Sequence, residues 1–124
     1  MDKLEYIRFL TGDIVYIHGS VRVISSCDGY YATYYDEDET LQEVNVNLIE
    51  GIPLTPAILE KNVWKKPDGF DSYWLGKIGL LQDSEEWHSA VGNTKIAITL
   101  GDILYVHQLQ HLLFGLGLNS EMEV

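Results

Sequence analysis

The chain has 124 residues, enough for one domain or a small barrel with an appended subdomain, but not for two full domains. Hydrophobic residues make up 46% and charged residues 22%, a globular balance that excludes collagen-like, low-complexity and intrinsically disordered classes. Eight Lys and Arg against nineteen Asp and Glu give a formal net charge of −11. That sets the chain against phosphate backbones and anionic membrane surfaces, so neither nucleic acid nor membrane is an expected partner.

The opening Met1-Asp2-Lys3-Leu4-Glu5 mixes charges and does not read as a basic-then-apolar leader. The longest apolar stretch, near Leu112–Leu116, is far short of the ~20 residues a spanning helix needs, and the expectation is a soluble, cytoplasmic protein. Ile14, Tyr16 and His18 alternate with Val15 and Ile17, the period of a two-faced strand. Gly19 reverses the chain into a strand over Ser20–Ser26, with Val21 and Val23 on one face and Arg22 and Ile24 on the other. Cys27-Asp28-Gly29 is a hairpin signal, since Asp-Gly suits turn positions of positive φ. A tyrosine-rich strand follows over Gly29–Tyr35, then the acidic loop Asp36-Glu37-Asp38-Glu39, then a strand over Thr40–Val46 with Leu41 and Val44 as anchors. Four strands at this spacing suggest a small curled barrel of the SH3-like kind, and a short turn and a final short strand follow over Leu48–Leu54.

Thr55 is placed to cap a short helix over Pro56–Lys61, with Pro at its first position and Asn62 as a left-handed stop. Beyond Pro67-Asp68-Gly69, the segments Ser72–Lys77, Gly79–Gln82, Glu86–Val91 and Lys95–Leu100 read as strands of an antiparallel sheet, with Gly92-Asn93 as a reversal. From Ile103 to Leu116 the spacing predicts a helix started by Asp102 and weakened at its end by Gly115 and Gly117. Its buried face takes Tyr105, Val106, Leu109, Leu112, Leu113 and Leu116, and His107, Gln108, Gln110 and His111 project from the other. On that placement, His107→Ala and Gln110→Ala are expected to cost much less than Leu113→Ala. The expected fold is therefore α+β but mostly β. Residues 1–54 form the small barrel, and residues 55–124 hold a short helix, antiparallel strands and the C-terminal helix.

Three segments together resemble a family of small uncharacterised proteins encoded by phages and mobile elements of Bacteroidales and related gut bacteria. They are Gly12-Asp13-Ile14-Val15-Tyr16 after the lead Ile7-Arg8-Phe9-Leu10, Gly51-Ile52-Pro53-Leu54-Thr55 running into the short helix, and Tyr105-Val106-His107-Gln108-Leu109-Gln110. The chain departs from the family where its central helix ends in Asn62-Val63-Trp64, not Gly-Phe. The resemblance implies a phage or mobile-element origin and the barrel-then-helix arrangement, and it implies no activity.

His107 and His111 are four apart, the spacing at which one helix face presents two imidazoles to zinc, but no glutamate lies between them to act as general base. A third ligand would have to come from His18, His88 or a carboxylate. Members of the resembling family often carry Asn where His111 stands, which argues against an essential metal pair. No metal and no cofactor are expected. In the aromatic run, Tyr30 shares a strand face with Tyr34, and Tyr31 with Tyr35, so that one pair belongs to the core and the other to a stacking or peptide-binding surface. The bland alternative is that tyrosines simply form good strands with an apolar body and a wet tip. Cys27 is the single cysteine, with no His nearby in sequence, and Ser25, Ser26 and Ser89 lack a nucleophile-elbow context. Gly76-Lys77-Ile78-Gly79 is too short for a phosphate-cradling loop, and consecutive carboxylates at 36–39 read as a solvated, self-repelling loop.

The functional expectation is a non-enzymatic interaction module without catalytic residues, binding an unidentified host or phage protein. Its candidate contacts are Tyr30, Tyr31, Tyr34, Tyr35, His107, Gln108, Gln110 and His111. The alternative is a small-ligand binder that sequesters a nucleotide signal. Arg8 and Arg22 as the only arginines count against it, since anionic ligands want cations. A histidine-dependent metal enzyme is the third reading.

Overall fold

A computed structural model describes residues 9–124; the Met1–Glu5 opening and the Ile7-Arg8 lead lie outside the described residues. The fold is mostly β, with three sheets and two α-helices. The first half holds β1 (Ile14–Ile17), β2 (Ser20–Val23), β3 (Ser26–Cys27), β4 (Tyr31–Tyr35), β5 (Leu41–Asn45) and β6 (Ile49–Gly51), with a 3-10 turn at Val46–Leu48 before β6. They form two antiparallel three-stranded sheets, ordered β2-β1-β6 and β3-β4-β5. The strand expected over Ser20–Ser26 breaks at Ile24-Ser25 and passes from one sheet to the other. Its alternation holds: Val21 and Val23 stand exposed and Ile24 is buried.

β1 is buried on both faces because two cores meet on it. Val15 and Ile17 join Phe9, Ile24, Ala32, Tyr34, Val44, Val46 and Ile49 in the first core. Ile14 belongs to the second, and Tyr16 packs against it. The Cys27-Asp28-Gly29 turn forms as its residues dictate. The Asp28 carboxylate accepts the N–H groups of Tyr30 and Tyr31, and Gly29 takes a φ of +95°. Leu41 is exposed where it was expected to anchor β5; it pairs with Tyr35 on the outer face, and Val44 alone of the two enters the core.

The second half begins with α1 (Pro56–Lys61), capped by the Thr55 hydroxyl accepting from Ile58 N–H. It ends at Asn62 as expected, but without the left-handed turn expected there. Val63, not Asn62, takes the left-handed conformation, at φ +62°. Asn62 instead clamps the chain end: its amide donates to the Ile58 and Glu123 carbonyls and accepts from Glu123 N–H. Then β7 (Ser72–Leu75), β8 (Ile78–Asp83), β9 (Glu86–Gly92) and β10 (Ala97–Ile103) form one antiparallel sheet ordered β10-β9-β8-β7. α2 (Val106–Gly115) follows.

β10 runs through Ile103, so the helix starts three residues later than its apolar pattern suggests. Asp102 sits in the strand opposite His88 and does not cap α2. The cap is made from inside: Gln108 Oε1 accepts from Leu104 and Tyr105 N–H. Leu109 and Leu113 are fully buried with Trp64, Leu80 and Trp87 in the second core, and Leu112 packs at its margin. Leu116, expected on the buried face, lies past the helix end and is exposed. The Trp87 indole donates to the Leu54 carbonyl, so the largest core side chain is also satisfied. Among the described residues no helix is long and apolar enough to cross a membrane.

Candidate functional site

The Asp28-Gly29 turn launches β4 with Ala32 and Tyr34 pointing into the first core and Tyr31, Thr33 and Tyr35 pointing out. Tyr34 is therefore not a surface contact; the Arg22 guanidinium lies over its ring, 5.6 Å from the centroid. Tyr31 is 47% exposed and Tyr35 58%. Across on β5, Tyr35 faces Leu41, Thr33 faces Glu43 and Tyr31 faces Asn45. Tyr30 precedes the strand, in the turn, and so escapes the strand's alternation: it is exposed although four residues from buried Tyr34. Tyr31, Tyr35 and Leu41 lie along one strip of the outer face, interrupted between Tyr31 and Tyr35 by the polar Thr33–Glu43 pair, with Tyr30 at one end.

The acidic loop borders the other end of that strip and is more ordered than a self-repelling run. Asp36 accepts the N–H groups of Asp38 and Thr40 and the Gln42 amide, and the Thr40 contact is the main reason its carboxyl is held below the usual carboxylate range. Glu37 pairs with Arg22 at 2.6 Å, which lowers its pKa as well. Asp28 is lowered chiefly by the Tyr31 N–H and then by that of Tyr30.

The polar side of α2 is not a surface face. His107 is 1% exposed and Gln110 is buried with it, because the helix lies between the sheet and the start of β1. His107 is enclosed by aromatic rings, with Phe9 at 5.0 Å, Tyr105 stacked at 5.7 Å and His111 edge-on at 5.7 Å. Gln110 accepts from Ile14 N–H at 2.9 Å and donates to the carbonyls of Gly12 and Ser120. Gln108 is the internal cap. His111 is half-buried and bonds through Nε2 to both carboxylate oxygens of the buried Asp13, at 2.8 and 2.9 Å. The four residues expected as one exposed contact face instead fasten the helix.

Asp13 carried no signal of its own in the sequence. Its burial against His111 joins positions 98 apart along the chain. Beside the pair opens a cleft of about 480 Å³, walled by Leu10, Thr11, Gly12, Phe114, Ser120 and Glu121 together with Asp13, Gln110 and His111. Zinc-like spacing of His107 and His111 does not gather ligands: the described residues contain no group of three or more His, Cys, Asp or Glu side chains able to hold a metal. His88 and Ser89, adjacent in sequence, do not form a nucleophile pair. His88 sits between Asp102 and Asp83, which raise its pKa in that order, and the Ser89 hydroxyl donates to the Gly101 carbonyl. Cys27 is partly covered and packs against the first core.

No family model, no curated protein and no solved structure matches this chain.

Proposed function

We propose that the chain is a non-enzymatic protein-interaction module that binds a partner protein through the outer face of the β3-β4-β5 sheet. The observation that carries this reading is the strip with Tyr35 paired to Leu41 and Tyr31 further along the same strand, all three exposed on a sheet whose other face is core. Exposed tyrosines supply large, rigid contact area with few torsions to freeze, which is why they anchor interfaces. The same reading takes the first half as an SH3-like small barrel. In support, β1 pairs with both β2 and β6, the chain crosses between sheets after β2, and a 3-10 turn precedes β6. The resemblance carried by Ile52-Pro53-Leu54-Thr55 and Tyr105–Gln110 points to phage or mobile-element origin and a partner in the cytoplasm of a bacterial host.

Tyr31→Ser with Tyr35→Ser tests this. The double variant is expected to keep its fold, since neither side chain belongs to a core, and to lose at least ~10-fold in affinity for the protein that the native chain captures. Undiminished capture of that same protein by the folded double variant would overturn the proposal.

The cleft beside Asp13 and His111 favours a second reading, a small-ligand site. Among the described residues its lining includes the carboxylates of Asp13 and Glu121 and no lysine or arginine. That chemistry suits a neutral or cationic molecule better than an anionic nucleotide. Thermal-shift screening separates the readings, because a cleft ligand at ~100 times its dissociation constant adds ~2.7 kcal/mol of stability.

A further inference from the structure

The outer strand of the four-stranded sheet is the least covered part of the second half. From Ala97 to Asp102 every residue of β10 is exposed, with Ile98 at 68% and Leu100 at 41%, and Ile96 just before the strand is 76% exposed. The order β10-β9-β8-β7 leaves the outer edge of β10 with no strand beside it among the described residues. The opposite edge is treated differently: Lys65 bridges to Trp74 on β7, each N–H donating to the other's carbonyl. An open edge with apolar side chains is a template for another strand, and chains ordinarily blunt it with charge, proline or a bulge. Between Lys95 and Asp102 there is no charge and no proline, and a bulge at Thr99–Gly101 is the one such device.

The hairpin is also held in place. Gly92 has a φ of +143°, where a Cβ would collide with the Ile96 carbonyl, and Asn93 Oδ1 accepts the N–H groups of Lys95 and Ile96. The edge is thus formed before any partner arrives, which lowers the ordering cost of pairing.

We propose that β10 pairs antiparallel with β10 of a second copy of this chain, about a two-fold axis near Thr99. Such a contact is isologous, so each patch must complement itself. This one does. Its segment carries Lys95 at one end, Asp102, which is also bonded to His88, at the other, and Ile96, Ile98 and Leu100 between them. Antiparallel pairing brings the Lys95 end of one copy alongside the Asp102 end of the other, twice over, and sets Ile98 among the apolar side chains of the second strand. An unrelated strand would need the same order of charges by chance. A single ladder buries less than the ~1,200 Å² of a stable interface, so the dimer belongs to the weak, concentration-dependent class. The inference is independent of the tyrosine face.

Sedimentation velocity of the native chain over a concentration series reaching about 1 mM tests it. Reversible dimerisation is expected, with Ile98→Asp raising the dissociation constant at least ~10-fold, equivalent to ~1.4 kcal/mol. Lys95→Glu is expected to weaken the dimer and Lys95→Glu with Asp102→Lys to recover it, while circular dichroism confirms that each variant is folded. A native chain that stays monomeric throughout, or a dimer indifferent to Ile98→Asp, overturns the proposal. So does a charge-swapped variant no stronger than Lys95→Glu alone.

Discussion

Removing the Gln110 amide strands three backbone groups at once: Ile14 N–H and the carbonyls of Gly12 and Ser120. Leaving a buried donor without its acceptor costs ~1–3 kcal/mol, and we expect Gln110→Ala to fall in or above that range in chemical denaturation. His107, enclosed by three rings, behaves as a core side chain. His107→Ala is expected to approach the ~2–5 kcal/mol of Leu113→Ala, the reverse of what its place on the polar side of the helical wheel suggests. A loss well below that of Leu113→Ala would show that this pocket tolerates an empty site. His88 supplies a pH signature. Asp102 and then Asp83 raise its folded pKa, so its extra stability is fully present below about 6.5, the unfolded value, and is lost as pH rises through the raised folded value. Denaturation at about pH 5.5 and about pH 8.5 should show the native chain losing its advantage over His88→Gln at the higher pH. An unchanged difference between the two proteins would remove His88 from the pH response.

At the scale of elements, strands and turns were readable where one physical rule dominated. Asp28-Gly29 makes its turn, Thr55-Pro56 starts its helix, and the 3.6-residue spacing of Leu109 and Leu113 finds the buried face. The failures have a common cause in tertiary context. β1 reads as a strand with two distinct faces, yet both are buried because a core lies on each side. α2 reads as amphipathic, yet its polar side meets the start of β1, where Asp13 and the backbone of Gly12 and Ile14 supply partners that local sequence cannot announce. Of the candidate contacts, Tyr30, Tyr31 and Tyr35 reach the surface as a strip; Tyr34, His107 and Gln110 do not. Gly51 tests how tightly the two halves join. A Cβ there would stand 2.5 Å from the Tyr105 ring just ahead of α2, so Gly51→Ala is expected to destabilise by ~1–3 kcal/mol through overpacking. A neutral result by thermal or denaturant unfolding would mean that Tyr105 swings aside freely.

Over the whole molecule, β1 and the chain on either side of it link two cores into one structure, and α2 is tied to that strand by Gln110 and His111. Those ties use up the polar groups that looked available for chemistry, and leave as exposed features the tyrosine strip, the open edge of β10 and the acidic cleft. A net charge of −11 makes a basic surface on the partner the natural complement, with the Asp36–Glu39 loop beside the tyrosines to receive it. The central claim is that the outer face of β4 and β5 is where a partner protein binds. It is tested most directly by placing a photo-crosslinking amino acid at Tyr35 and, separately, at Val63, which is more exposed still but on the loop after α1. Illumination in living cells that make the protein should yield one discrete crosslinked protein from position 35 and none from position 63. Crosslinks of the same protein from both positions, or from position 63 alone, would contradict the account.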